Sequence, residues 1–90
     1  MIRREIRIVN KLGLHARAAA KLVALTGGYQ ARIGIGRPGD KPVDGKSIMA
    51  MLMLAANKGT LLAIECDGTD ELALADAVCA LVDNFFDEGE

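Results

Sequence analysis

The hydrophobic pattern of this 90-residue chain changes its period repeatedly, and this alternation restricts the fold more than any other feature. Segments in which every second residue is apolar predict half-buried strands, and segments with apolar residues at helical spacing predict amphipathic helices. The predicted order is β-α-β-β-α-β-α, with turns rich in glycine, asparagine and aspartate between the elements. The predicted elements are strands over 2–8, 30–37, 41–43 and 60–66, and helices over 16–26, 48–57 and from 70 or 71 to 85.

Four strands and three helices in so short a chain predict an α+β fold. We expect a two-layer, open-faced sandwich, in which a four-stranded antiparallel sheet carries all three helices on one face. Residues 1–90 should form a single domain, because the chain has no linker or internal repeat and is too short for two domains. An antiparallel sheet can leave its other face to solvent. That face should carry Arg3, Glu5, Arg7 and Arg32.

Helical spacing also predicts which side chains of the first and last helices face the core. The expected inward residues are Ala19, Leu22, Val23 and Thr26 in the first helix, and Leu72, Ala75, Cys79, Val82 and Phe86 in the last. The acidic residues 87–90 should fray, as chain ends commonly do.

Composition excludes several classes of protein. With a formal net charge of −1 and 3% aromatic residues, the chain lacks the basic patches and stacking side chains of nucleic-acid-binding proteins. The longest apolar run, 48–56, is too short to span a bilayer, and charges lie where a signal peptide is apolar. We therefore expect a cytoplasmic protein. Cys66 and Cys79 lack metal-ligand and CxxC spacing, which predicts buried, reduced thiols and neither a metal nor a cofactor.

The single histidine, His15, directly precedes the first predicted helix. A helix N-terminus offers unpaired N–H groups and the positive end of the helix dipole, which together bind phosphate well. The backbone N–H groups of Ala16, Arg17 and Ala18 would hold a phosphate there, helped by the Arg17 guanidinium. A neutral imidazole is nucleophilic at cellular pH, so His15 is a candidate phosphate carrier. On this spacing alone, an exposed histidine without a role is favoured, because isolated histidines are common.

Two neighbouring features could serve partner recognition. Lys21 lies one turn from Arg17, and such a basic face attracts acidic partners. The second helix, which Ser47 should cap, is apolar nearly all round over 48–54, although a two-layer domain cannot bury every side of it. Part of this helix should therefore form an exposed apolar patch, the kind of surface that binds partners. The core-facing residues of the helix should be Met51 and Leu54.

Two separated runs of sequence are NKLGLHARA over residues 10–18 and DGKSIM over residues 44–49. Together they resemble the HPr family, the histidine-containing phosphocarriers of the bacterial sugar phosphotransferase system, and the resemblance covers essentially the whole chain. It implies that His15 is phosphorylated on Nδ1, with Arg17 as its electrostatic partner. It also implies that phosphate arrives from phosphoenolpyruvate through enzyme I and leaves to an enzyme IIA protein or domain. Such a chain is a monomeric carrier without turnover of its own, not an enzyme.

The resemblance extends to the second helix. Ile48, Met49 and Leu52 match the family's docking positions, and we add Lys21 to the partner-binding residues. In one branch of the family, a dedicated kinase/phosphorylase modifies the serine that is Ser47 here. A phosphate at this position would add a charge of about −1.5 to −2 and would repel acidic partners.

The sequence departs from the commonest family pattern at two positions. Ala16 stands where serine or threonine is frequent, and Ala18 stands where proline is frequent. The backbone N–H groups and Arg17 must therefore hold the phosphate without help from a hydroxyl group.

Three alternatives to a sugar-branch carrier stay open. The first is a carrier of the nitrogen-regulatory branch. The second is a regulatory binding module that acts mainly through Ser47 and the second helix. The third is a small phosphatase with His15 as its nucleophile, which is disfavoured because no second acid/base residue is expected near His15.

Overall fold

A computed structural model describes residues 1–89 and confirms the predicted order of elements. The strands are β1 (Ile2–Arg7), β2 (Arg32–Gly36), β3 (Val43–Asp44) and β4 (Leu61–Asp67), and the helices are α1 (Ala16–Thr26), α2 (Ile48–Met53) and α3 (Glu71–Asp83).

The strands form one antiparallel sheet in the order β1-β4-β2-β3. β1 pairs with β4 from Ile2 opposite Cys66 to Arg7 opposite Leu61, so the first strand lies at one edge of the sheet. The helices cover one face, and the four charged residues predicted for the other face are all exposed: Arg3, Glu5, Arg7 and Arg32. The open-faced sandwich is therefore confirmed.

The core lies between the sheet and the helices. Its largest fully buried side chains include Ile8, Ile35 and Ile64. In α1 the inward residues are Ala18, Ala19, Leu22 and Thr26, with Val23 only half-buried. In α3 they are Leu74, Ala75, Val78 and Val82. The predicted seam of α3 was therefore partly wrong, because Leu72 is 54% exposed and Cys79 is half-buried. This alanine- and leucine-rich helix has two apolar stripes, and the stripe that packs against the core contains Leu74 and Val78.

The strand bounds differ from the prediction by one or two residues, and the two-residue shifts, at the starts of β2 and β3, have identifiable causes. β2 begins at Arg32 rather than Gln30, because the backbone N–H groups of Gln30 and Ala31 bind the Asp70 carboxylate instead of a strand. β3 covers Val43–Asp44 rather than 41–43, since Pro42 has no N–H group to donate to the sheet. The predicted β2–β3 hairpin is present, with Ile35 opposite Val43.

The second helix is shorter than predicted. It ends at Met53 rather than near Asn57, because Ala55 turns the chain with a φ of +50°. This turn buries Ala56 at 2% exposure and directs its carbonyl oxygen to the Leu14 N–H, at 2.8 Å. The early end of α2 thus supports the loop that precedes α1.

Both cysteines are free. Cys66 is buried, as predicted, and burial is the main reason that the pKa of its thiol is raised, which disfavours the thiolate form. Among residues 1–89, no helix combines the length and apolar character needed to cross a membrane.

Candidate functional site

The loop before α1 fixes the position of His15. Gly13 has a φ of +69°, which favours glycine, and a Cβ atom there would lie 2.5 Å from the carbonyl oxygen of Ala56. The side chain of Asn10 crosses the loop and donates from Nδ2 to the Gly13 carbonyl at 2.7 Å. The loop that leads to His15 is thus held by three features: the turn at Gly13, the buried amide of Asn10 and the packing of segment 56–57 against it.

His15 is the N-cap residue of α1. Its backbone is extended, and its carbonyl oxygen accepts the first helical hydrogen bond, from Ala19 at 2.8 Å. Its Nδ1 atom accepts a hydrogen bond from the backbone N–H of Arg17, with the two nitrogens 3.3 Å apart. The imidazole therefore lies across the helix N-terminus, with Nδ1 at the unpaired N–H groups.

The structure brings the other predicted phosphate-binding groups to the same helix end. Ala16, Arg17 and Ala18 form the first turn of α1; Ala16 and Arg17 are exposed, whereas the Ala18 side chain is buried in the core. Within residues 1–89, the Arg17 guanidinium makes no ion pair and no hydrogen bond. An uncommitted cation thus lies beside a set of N–H donors, an arrangement suited to an oxyanion.

Lys21 is not the free steering charge that its spacing suggests. It is half-buried, and its Nζ atom donates to the Phe86 carbonyl oxygen at 2.9 Å. It still borders a surface depression of about 600 Å³ around His15, and its main contact fixes the segment after α3.

The sequence reasoning missed Glu88, which lies 2.6 Å from His15, Oε2 to Nε2. Its side chain is 12% exposed, so the predicted fraying was wrong for Glu88; Glu90 lies outside the described residues. The expectation of no second acid/base group near His15 was also wrong. The one available signal was Phe86, an apolar residue beside the acidic end, which is fully buried and anchors the tail.

The predicted docking residues lie on α2 and differ in exposure. Ile48 is 40% exposed and Met49 63%, whereas Leu52 is half-buried against the core. Met53, which sequence reasoning did not single out, is the most exposed residue of the helix at 79%. An exposed apolar patch on α2 is therefore present. Of the two residues predicted for the core, Met51 is fully buried and Leu54 is half-buried.

Ser47 caps α2 as predicted. Its Oγ atom accepts a hydrogen bond from the Ala50 N–H at 3.1 Å. The hydroxyl is thereby held at the edge of the patch that Ile48 and Met49 form. No group of three or more histidine, cysteine or acidic side chains within residues 1–89 is arranged to hold a metal ion.

Comparison with known proteins agrees with this geometry. The family model described as PTS HPr component phosphorylation site matches residues 2–84. The phosphocarrier protein HPr of Pseudomonas putida is 55% identical, over 97% of both chains. The phosphocarrier protein NPr of Shewanella violacea is 44% identical, over 97% of this chain and 94% of its own.

Among solved structures, HPr-C-His from Thermoanaerobacter tengcongensis superimposes with a TM-score of 0.92 at 33% identity, over 98% of each chain. The chain therefore belongs to the HPr family, the phosphocarriers of the phosphotransferase system, which carry phosphate between enzymes and are not enzymes themselves.

Proposed function

We propose that this chain carries phosphate on Nδ1 of His15. The observation that carries the proposal is the hydrogen bond from the Arg17 N–H to Nδ1, because it directs the lone pair of that nitrogen to the helix N-terminus. When Nδ1 forms a bond to phosphorus, the oxygens of the phosphoryl group come to lie near the N–H groups of Ala16, Arg17 and Ala18. The Arg17 guanidinium adds a full positive charge to the partial charge of the helix N-terminus.

The expected partners are enzyme I as donor and an enzyme IIA protein or domain as acceptor, in the cytoplasm. The residues proposed for docking are Ile48, Met49 and Leu52 on α2, together with Lys21 on α1. Exposure of the first two supports this assignment, because exposed apolar patches are surfaces at which partners bind. We propose residues 1–90 as one domain that serves both partners in turn.

We propose a regulatory role for Ser47 through a serine kinase/phosphorylase. Its hydroxyl lies beside the exposed Ile48 and Met49. A phosphate there is compatible with the fold, because helix N-termini tolerate negative charge. It would nevertheless place that charge on the apolar docking surface.

The test uses phosphoenolpyruvate, enzyme I and intact-mass measurement. The wild-type chain should gain one phosphate, and His15→Asn should gain none. Asparagine is a matched substitution, because it retains a side-chain cap for α1 without a nucleophilic nitrogen. An equal mass gain in His15→Asn, or none in the wild type, would refute the assignment.

The nitrogen-regulatory branch is the second candidate, favoured by the 44% identity to an NPr protein. The higher identity to an HPr protein, 55%, favours the sugar branch. Transfer from the phosphorylated chain to purified enzyme IIA of each branch separates them, since the physiological acceptor should be phosphorylated much faster.

A further inference from the structure

The two ring nitrogens of His15 have different partners. Nδ1 accepts a hydrogen bond from the Arg17 N–H, so Nδ1 carries a lone pair rather than a hydrogen. Nε2 then carries the hydrogen and donates it to Oε2 of Glu88, across 2.6 Å. The two contacts select the same tautomer, with the nucleophilic lone pair on the nitrogen that faces the helix N-terminus.

Glu88 is itself held in place. Its second oxygen, Oε1, accepts a hydrogen bond from Nδ2 of Asn10 at 3.0 Å. Asn10 is fully buried, and the same Nδ2 donates to the Gly13 carbonyl in the loop before His15. A buried amide thus ties the carboxylate to the loop that positions the imidazole.

The chain after α3 adopts a strained conformation to bring Glu88 to this place. Phe85, Phe86 and Asp87 have φ values of +58°, +51° and +62°, which residues with a Cβ atom rarely adopt. Burial of the Phe86 side chain and the Lys21 hydrogen bond to its carbonyl oxygen hold this turn. Backbone strain persists where the surrounding structure enforces it, and such places are often functional.

We propose that Glu88 is a positioning residue for phosphoryl transfer: it holds the hydrogen on Nε2 and balances the positive charge that His15 gains when Nδ1 is phosphorylated. This inference rests on the proposed role of His15. In the step, the Nδ1 lone pair forms a bond to phosphorus, and the bond from phosphorus to the donor breaks, with its electron pair leaving on the donor. No proton moves, so the phosphorylated imidazole is a cation beside the Glu88 carboxylate.

The same contact serves the onward transfer. Because Nε2 keeps its hydrogen, the electron pair of the Nδ1–phosphorus bond returns to Nδ1 of a cationic ring. The leaving group is then a neutral imidazole rather than an anion. A neutral imidazole is the better leaving group. A carboxylate that orients a histidine and stabilises its cation plays the same part in hydrolytic triads.

The test compares Glu88→Gln and Glu88→Ala with the wild type in single-turnover transfer from phosphorylated enzyme I. Gln retains a hydrogen-bond acceptor without the charge, and Ala removes both. Each variant should slow transfer by at least about tenfold, the effect of losing a charge-assisted hydrogen bond. The control is Asp83→Asn, which removes the same charge from the exposed end of α3 and should change the rate less than about twofold.

A spectroscopic measurement separates positioning from a general effect on structure. Nitrogen-15 NMR of the imidazole should show the hydrogen on Nε2 of the wild type, protected from solvent exchange. That protection should be lost in Glu88→Ala, while the backbone spectrum of the sheet is retained. Transfer at the wild-type rate by both variants, or an unprotected Nε2 hydrogen in the wild type, overturns the role of Glu88. Neither result affects the mass gain on His15, so the two proposals fail separately.

Discussion

At the scale of single residues, Gly13 is the position most tightly constrained around the site. Alanine there would combine a φ of +69° with a Cβ atom 2.5 Å from the Ala56 carbonyl oxygen. We expect Gly13→Ala to lower the free energy of unfolding by about 1–3 kcal/mol, measured by urea denaturation, and to slow the phosphorylation of His15.

Gly39→Ala is the matched control for this substitution. Gly39 has a φ of +90°, but a Cβ atom there would meet no other atom within 4 Å. Gly39→Ala should therefore lower the free energy of unfolding only by the strain of the backbone conformation, without a steric clash. It should leave the phosphorylation rate unchanged. Equal losses of stability in the two variants would show that contact with Ala56 does not constrain Gly13.

The residues around His15 differ in how far sequence could predict them. The helix start, Arg17 and the Ser47 cap follow from short local patterns, because caps and helix N-termini are formed within a few residues. Glu88 lies 73 positions from His15, within an acidic run of the kind that predicts a frayed chain end. Its contact depends on where Phe86 packs, which only the assembled core determines.

At the scale of elements, α2 depends on its cap because it has only six residues. Ser47→Ala removes the acceptor for the Ala50 N–H and should lower the free energy of unfolding by about 1 kcal/mol in urea denaturation. Ser47→Asp retains a side-chain cap and adds a negative charge beside the docking patch. It should therefore preserve stability and slow transfer with enzyme I. Full transfer activity in Ser47→Asp would contradict regulation through this surface.

The boundaries of elements were predicted less well than their order. Periodicity identifies an element because apolar residues recur along its buried face. It does not show where backbone N–H and C=O groups stop bonding within the helix or sheet. α2 ends early because Ala55 turns and Ala56 enters the core, and β2 starts late because Asp70 binds two N–H groups. Each boundary is set by a contact between segments that are distant in sequence.

At the scale of the whole molecule, the start of α3 joins segments that are far apart in the chain. Asp70 accepts hydrogen bonds from the N–H groups of Gln30, at 2.9 Å, and Ala31, at 2.8 Å. Glu71 accepts one from Gly68 and pairs with the N-terminal ammonium of Met1 at 3.0 Å. These donors favour the ionised carboxylates, so the pKa of Asp70 and that of Glu71 lie below their ordinary values.

These lowered pKa values predict how acid weakens the fold. A carboxyl group with a lower pKa in the folded state stabilises the protein above its unfolded pKa and loses that contribution as pH falls through the folded value. Asp70→Ala should therefore reduce the free energy of unfolding most at neutral pH, and the difference from the wild type should shrink below about pH 4. Urea denaturation from pH 7 down to pH 3 measures both chains. Asp40→Ala is the control, because it removes an exposed aspartate whose side chain makes no hydrogen bond within residues 1–89. If the loss in Asp70→Ala were as large at pH 3 as at pH 7, the ionised carboxylate would not be what joins α3 to the start of β2.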